Sequence, residues 1–186
     1  MPNIDSTTIE AMLSACSVYK GYCFPMIGLH PTSVNANYEK ELEIVARELK
    51  FSKEYVAIGE IGMDLYWDKT YLKEQQIVLD KQVNWALEYD LPIVIHCRDA
   101  FDYIYKVLEP YKKTPLRGIF HSFTGTAEEA TRVLEFSDFF IGINGVVTFK
   151  KSHLPEILAG IPLGKIVLET DSPYLTPVPN RGKRNE

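Results

Sequence analysis

Four side chains that could bind a metal ion each follow a run of apolar residues. Glu60 ends "YVAIGE", His96 ends "PIVIH", His121 ends "RGIFH" and Asp171 ends "KIVLETD". Gathering two carboxylates and two imidazoles in one place is unfavourable unless they pair or coordinate a cation. Two histidines and two acids are a plausible donor set for one or two divalent ions. A single histidine after a strand is usually structural, but four such residues after four apolar runs favour a metal site.

Residues beside these four could bind substrate. His30 in "GLHP" ends an apolar run and is therefore a candidate for the substrate side, and Pro31 after it favours an extended backbone at His30. Arg98 in "HCRDA" could hold a phosphate oxygen or pair with a neighbouring acid. Ser122 and Thr124 in "HSFTG" could hydrogen-bond a phosphate or orient a ligand, or they could simply cap the next helix. Asp64 in "GEIGMD" is either an outer partner of a ligand or a turn residue.

Helical and strand patterns alternate along the chain and would position these side chains. Apolar residues at i, i+3, i+4 and i+7 predict amphipathic helices, for example at Ile9–Cys16 and Phe101–Leu108. Between the helices lie short, continuously apolar runs, which are typical of buried parallel strands. Capping-box spacing is present at Thr7 with Glu10 and at Thr126 with Glu129. The pattern predicts an α/β fold in which the carboxyl ends of the strands share one rim, where ligands bind.

Length and composition bound the possibilities further. The chain has 186 residues and a formal net charge of −5, so we expect a single domain spanning 1–186 without a general attraction for polyanions. A protein of this charge that handles phosphates needs a local device such as bound metal ions. No apolar run approaches the ~20 residues of a membrane helix, and "MPNIDSTTIE" lacks the features of a signal peptide. We therefore expect a cytoplasmic protein, no membrane contact and no obligate protein partner.

Five ordered motifs resemble those of the TatD family of metal-dependent hydrolases, which are known as deoxyribonucleases. They are "GLHP", "AIGEIGMDLYW", "LPIVIHCRDAF", "GIFHSFTGT" and "VLETDSPYLTP". The resemblance implies a TIM-type (β/α) barrel with a site for two divalent ions (Mg²⁺, Mn²⁺ or Zn²⁺) at its carboxyl face. It implies that Glu60 bridges the ions, that His96 and His121 complete one shell, and that Asp171 serves the other ion and the attacking water. The implied reaction is 3′-to-5′ exonucleolytic hydrolysis of DNA, either single strands or 3′ ends.

The sequence departs from the family pattern in one respect. The family's first strand carries a His-x-His pair, and no such pair occurs here. A complete barrel of this type has roughly 250 residues. We therefore expect an incomplete barrel of about six strands, without the family's first and last strands, and weakened or absent two-metal catalysis. Two alternatives stay open: an amidohydrolase-type barrel acting on a small ester, lactone or amide, and a catalytically impaired fragment.

Overall fold

The structure, a computed structural model, describes residues 1–186 as alternating helices and strands. The helices are α1 (Ile9–Val18), α2 (Tyr38–Phe51), α3 (Leu72–Glu88), α4 (Phe101–Leu108), α5 (Ala127–Val133) and α6 (Leu154–Leu158). The strands are β1 (Met26–Ile27), β2 (Ala57–Asp64), β3 (Ile93–Arg98), β4 (Gly118–Phe120), β5 (Phe139–Ile143) and β6 (Ile166–Leu168). The sheet has six strands in the order β1-β2-β3-β4-β5-β6. The α/β prediction is confirmed.

Residues 1–118 form the first of two compact units. Within it β1 pairs with β2, and β2 pairs with β3, both in parallel. Seven of the eight residues of β2 are buried, and Glu60 alone is partly exposed. Strands covered on both faces read as continuous apolar runs, which explains why β2 lacks the alternation of a half-exposed strand. In β3 the burial does alternate, with Ile93 and Ile95 buried and Val94 partly exposed.

Helix α3 packs against the strands with a face that is not wholly apolar. Val78, Leu79 and Val83 supply its buried apolar stripe, as the helical spacing predicts. Two glutamines, Gln75 and Gln82, are buried on the same helix. They lie seven residues apart, which is about two helical turns, so both point to one side.

Each of these glutamines holds the backbone of a residue near the candidate site. The backbone N–H of Asp64 donates to Oε1 of Gln75 (2.9 Å), and Nε2 of Gln75 donates to the Asp64 carbonyl (3.2 Å). Gln82 makes the same pair of bonds to Leu29, at 2.7 and 3.3 Å. The side-chain amides thus satisfy backbone groups of two buried residues, as buried polar groups require.

Residues 119–186 form the second unit. There β5 pairs with β6 in parallel, from Ile141 opposite Ile166 to Ile143 opposite Leu168. Thr126 and Glu129 form the capping box that the sequence predicts at the start of α5: the Glu129 N–H donates to Oγ1 of Thr126 (3.1 Å), and the Thr126 N–H donates to Oε2 of Glu129 (2.6 Å).

Some local predictions differ from the structure. The capping box before α1 uses Asp5 and Thr8 rather than Thr7 and Glu10, because a short 3₁₀ turn over Ser6–Thr8 precedes the helix. Glu60 and His96 lie inside β2 and β3 rather than at their last residues. Both strands continue because their pairing extends to Asp64 and Arg98. None of the helices combines the length and apolar character needed to cross a membrane. The one-domain assignment stays a prediction.

Candidate metal centre

His30, Glu60 and His96 converge in the first unit to form a possible metal site. One potential ligand atom from each lies within 4.8 Å of the others. Nε2 of His30 is 3.7 Å from Oε2 of Glu60, and the two imidazole rings have centroids 4.7 Å apart. His30 is buried, while Glu60 and His96 are partly exposed. One carboxylate and two imidazoles in this spacing match the ligands that divalent ions such as Zn²⁺ and Mn²⁺ take from proteins.

A bulge in β2 places the Glu60 side chain at this site. Ile58 pairs with Ile93, but Ile61 pairs with Ile95, so β2 holds one extra residue between these pairs. Bulges of this kind turn a side chain away from its regular direction. Gly59 permits the close packing, since a Cβ at this position would lie 2.7 Å from Cβ of Val94.

Asp64 orients the His96 ring. Its Oδ2 lies 2.9 Å from Nε2 of His96, and its Oδ1 accepts the backbone N–H of Tyr66 at 3.1 Å. Burial alone would raise the pKa of the Asp64 carboxyl, but these hydrogen bonds and the charges of His96 and Arg98 hold it below its usual range. An ionised Asp64 accepts the Nε2–H of His96 and leaves the Nδ1 lone pair for a metal, the usual arrangement of a ligating histidine.

His30 is held by the turn that follows it. Its Nδ1 lies 2.7 Å from Oγ1 of Thr32 and 3.2 Å from the Thr32 backbone nitrogen. The Thr32 backbone N–H donates to Nδ1, so Nδ1 is an acceptor and Nε2, 3.7 Å from Oε2 of Glu60, is the ring nitrogen that faces the site. The backbone N–H of His30 donates to the Ile4 carbonyl (2.9 Å), so the N-terminal segment helps to fix the position of the ring.

His121 is the centre of a second cluster, in the second unit. Its Nδ1 lies 2.7 Å from Oε2 of Glu169, and its Nε2 lies 3.5 Å from Oδ1 of Asp171. Glu169 also accepts the backbone N–H of Ser122. Glu169 follows β6 directly, and Asp171 lies two residues further along. His121 thus donates from Nδ1 to one carboxylate and directs Nε2 toward another.

The predicted substrate residues lie in different surroundings. His30 lies with Glu60 and His96 and is therefore also a candidate ligand. The Ser122 hydroxyl accepts a hydrogen bond from Nδ2 of Asn144 (2.6 Å). Thr124 is exposed and lines a cavity of about 440 Å³ with Lys151. Arg98 is exposed at the end of β3. Their roles toward substrate stay predictions.

The donor sets of both clusters fit divalent metal ions. Each of the three histidines has one ring nitrogen hydrogen-bonded to a neighbour: His30 to Thr32, His96 to Asp64 and His121 to Glu169. A hydrogen bond to one ring nitrogen orients an imidazole so that the other nitrogen can serve as a metal ligand. The first cluster supplies His30, Glu60 and His96, and the second supplies His121 and Asp171.

Sequence reasoning proposed Asp64 as a possible outer partner of a ligand but missed the other residues that orient the ligands. Glu169 was overlooked although it stands two residues before Asp171 in "VLETD", a spacing that places both on one face of an extended chain. Thr32 and Gln75 were overlooked as well. The sequence shows Gln75 only as a polar residue within the helix α3, and a polar residue in an amphipathic helix is normally expected at the surface. Its burial becomes understandable only when its hydrogen bond to the Asp64 backbone is known.

The chain resembles proteins of one family over its whole length. The family model described as "TatD related DNase" matches residues 1–186. An uncharacterized metal-dependent hydrolase of Bacillus subtilis is 38% identical over 183 residues, covering 98% of this chain and 71% of the relative. A protein of Pantoea ananatis named 3′-5′ ssDNA/RNA exonuclease TatD is 34% identical over 174 residues, covering 90% of this chain and 66% of the relative.

A solved structure has the same fold. A TatD homologue from Escherichia coli superimposes with a TM-score of 0.90 at 29% identity, covering all of this chain (100%) and 71% of the other. Against another relative, an E. coli metal-dependent hydrolase that is 35% identical over 160 residues, the matched region spans 59% of the relative. The chain therefore corresponds to roughly 60–70% of the length of these proteins.

Proposed function

The chain belongs to the TatD family of metal-dependent hydrolases, and from this premise we propose that it hydrolyses phosphodiester bonds of DNA from the 3′ end. The observation that carries the proposal is the convergence of His30, Glu60 and His96, whose ligand atoms lie within 4.8 Å of one another. The name of the P. ananatis relative supports the choice of a nucleic acid as the substrate.

We assign the metal ligands to both clusters. His30, Glu60 and His96 would hold one divalent ion, and His121 and Asp171 would contribute to a second. What supports the joint use of both clusters is the order of the motifs along the chain, which is that of the family. Mg²⁺, Mn²⁺ and Zn²⁺ all accept mixed carboxylate and imidazole ligands. Bound ions would supply positive charge opposite the phosphodiester oxygens and make water a stronger nucleophile at neutral pH.

Side chains of the protein orient the metal ligands and accept the proton of the attacking water. Asp64 and Glu169 hold the rings of His96 and His121 in one tautomer, so that neither ring turns during a cycle. We assign the proton of the attacking water to Asp171, whose side chain is 38% exposed and therefore accessible to water. The water oxygen bonds to phosphorus, the bond from phosphorus to the 3′ oxygen breaks, and that oxygen takes a proton from solvent. A 5′-mononucleotide leaves.

A labelled strand tests this activity. Purified protein is incubated with Mg²⁺ or Mn²⁺ and a 5′-labelled single-stranded oligonucleotide, and the products are separated by length. We expect shortening from the 3′ end, which EDTA stops and Glu60→Gln abolishes. Glu88→Gln is the matched control, because Glu88 is an exposed carboxylate at the end of α3. Shortening that survives both EDTA and Glu60→Gln would contradict the proposal.

The same preparation separates the alternatives. If the metal-loaded protein folds normally but releases no nucleotides, a panel of small esters, lactones and amides tests the amidohydrolase-type reading. Inactivity on every substrate, with metal bound, would indicate a catalytically impaired chain.

A further inference from the structure

Two exposed aromatic residues and an arginine form a cluster beside the first metal site. Tyr66 and Trp67 lie two and three residues after the end of β2, and their rings meet edge to face with centroids 4.7 Å apart. The guanidinium carbon of Arg98 lies 3.7 Å from the centroid of Tyr66 and 5.4 Å from that of Trp67. Trp67 is nevertheless 74% exposed. We call these three residues the Tyr66–Trp67–Arg98 platform.

The platform is tied to the residues that orient His96. The Arg98 carbonyl accepts the backbone N–H of Leu65 at 2.9 Å, and Asp64 accepts the N–H of Tyr66. Asp64 and Arg98 are paired across β2 and β3. The Asp64–Arg98 pair lies two pairs beyond Gly62 and His96 in the ladder, toward its carboxyl end. Arg98 is the last residue of β3, and the two aromatic residues lie in the segment that follows β2, which the bonds of Leu65 and Tyr66 anchor to the strand ends.

A cavity adjoins the exposed indole. Its volume is about 260 Å³, and Trp67 and Tyr71 line it together with Pro31, Asn35 and Asp64. The aromatic rings of Trp67 and Tyr71 and the side-chain amide of Asn35 suit a flat ligand group with polar edges. The rings can stack on the face of such a group, and the amide can hydrogen-bond to its edge. The cavity also reaches Thr32, the residue that holds His30.

We propose that the Tyr66–Trp67–Arg98 platform stacks a nucleobase of single-stranded nucleic acid. This inference rests on the proposed function and names the feature of its substrate that is recognised. Every base presents a π face, so aromatic platforms bind single strands with little sequence preference. Bases in a duplex are already stacked on one another and do not offer that face.

The negative net charge of the protein favours base stacking as a main source of its affinity for single-stranded nucleic acid. The chain has a net charge of −5, so phosphate contacts alone give weak general attraction to a polyanion. Arg98 places one positive charge at the platform, where it can contact a phosphate while it remains stacked on Tyr66. Binding should therefore depend weakly on salt and strongly on the presence of bases.

The test measures binding in EDTA, so that the strand is not cut. Tryptophan emission and the anisotropy of a fluorescein-labelled penta-thymidylate are followed together. We expect quenching of the tryptophan emission on binding, and a loss of affinity of about 5- to 100-fold in Trp67→Ala. For the wild-type protein, a plot of the logarithm of the association constant against the logarithm of the salt concentration should have a slope of about −0.7, the value for one phosphate contact. Arg98→Ala should weaken binding and flatten this slope.

Two controls make the result specific. Phe51, the last residue of α2, is 77% exposed and has the Lys50 ammonium 5.6 Å from its ring centroid, so Phe51→Ala removes a comparable surface aromatic outside the platform. It should bind like wild type. A penta-nucleotide with abasic sites should neither quench nor compete. Equal affinity of Trp67→Ala and Phe51→Ala, or equal quenching by the abasic strand, would overturn the platform.

The proposed nuclease activity and the proposed base stacking can be refuted independently of each other. A strand that binds with quenching in EDTA but is never shortened with metal would refute the nuclease and leave the platform standing. A strand that is shortened with the same KM by wild type and Trp67→Ala would refute the platform and leave the nuclease standing.

Discussion

Nδ1 of His121 lies 2.7 Å from Oε2 of Glu169, which fixes the ring of one candidate ligand. His96 has the same relationship with Asp64, at 2.9 Å, through its other ring nitrogen. A carboxylate that accepts one N–H of an imidazole sets its tautomer and raises the basicity of the other nitrogen. These carboxylates therefore matter for metal affinity although neither is assigned as a ligand.

The first prediction concerns Glu169. Glu169→Gln keeps the size of the side chain but replaces the charged acceptor of the His121 proton with a neutral amide. We expect metal affinity or activity to fall by about 10- to 100-fold. The measurement is the Mn²⁺ concentration that gives half-maximal activity, and Glu156→Gln, an exposed glutamate on α6, is the control. An unchanged metal requirement in Glu169→Gln would remove Glu169 from this role.

A second change displaces Glu169 without altering it. Gly142 lies against the Glu169 carboxylate, and a methyl group there would collide with it. We expect Gly142→Ala to reproduce the metal defect of Glu169→Gln. In the double variant Gly142→Ala/Glu169→Gln the two effects should not add, since both act on one contact. Additive losses would show that Gly142 acts by another route.

A third prediction concerns Asp64. Asp64→Asn leaves an acceptor near His96 but removes the negative charge that holds the proton on Nε2. We expect a rise in the Nδ1–H tautomer of His96, visible in long-range ¹H–¹⁵N NMR spectra, with an activity loss of about 10- to 100-fold. Asp68→Asn, four residues later and exposed, is the control. If Asp64→Asn alters the tautomer of His96 but keeps full activity, the tautomer that Asp64 sets is not needed for catalysis.

The alternation of helices and strands was predictable because the buried side of each element must be apolar, which leaves a periodic pattern in the sequence. The stripe Phe101, Ile104, Tyr105 and Leu108 is buried along α4 as its spacing predicts. Strand ends were less predictable: β2 runs four residues past Glu60 because its pairing with β3 continues beyond the bulge. A bulge arises from a mismatch in register between two strands, and a single strand's sequence carries little trace of it.

The candidate site was predictable at the level of residue type. His96 and Glu60 follow apolar runs, and the structure brings them together with His30. Among the partners that orient the ligands, Asp64 was one of two interpretations of the motif "GEIGMD", and the structure places it against His96. Glu169 was not predictable, because its hydrogen bond to His121 spans 48 positions. Asp5 illustrates the same limit locally: its capping role depends on a 3₁₀ turn that helical periodicity does not reveal.

A fourth prediction concerns the buried amide of Gln82. Gln82→Met retains similar volume but removes both hydrogen bonds to the Leu29 backbone. A buried polar group left without a partner costs about 1–3 kcal/mol, so the free energy of unfolding should fall by at least that amount. Urea unfolding followed by circular dichroism measures it. Gln76→Met, next on α3 from Gln75 and less buried, should change stability little. Equal midpoints for the two variants would show that the Leu29 contact adds nothing.

The last prediction is a dependence of stability on pH through Asp5. The hydrogen bond from the Thr7 hydroxyl lowers the pKa of the Asp5 carboxyl; partial burial opposes this, and the Thr7 N–H and the Ser33 hydroxyl add to it. Because the folded pKa lies below the unfolded value of about 3.9, the carboxylate stabilises the fold above about pH 5, and this contribution is lost as pH falls through the folded pKa.

Two substitutions separate the cap from the charge. Asp5→Ala removes the acceptor and should lower the free energy of unfolding at pH 7 by about 1 kcal/mol. Asp5→Asn keeps an acceptor for the Thr7 N–H, so it should lose less at pH 7 and should match wild type more closely at pH 3, where the aspartate of wild type is itself becoming protonated. Urea unfolding of all three proteins at both pH values measures this. A gap between wild type and Asp5→Asn that is as wide at pH 3 as at pH 7 would show that the charge of Asp5 does not stabilise the fold.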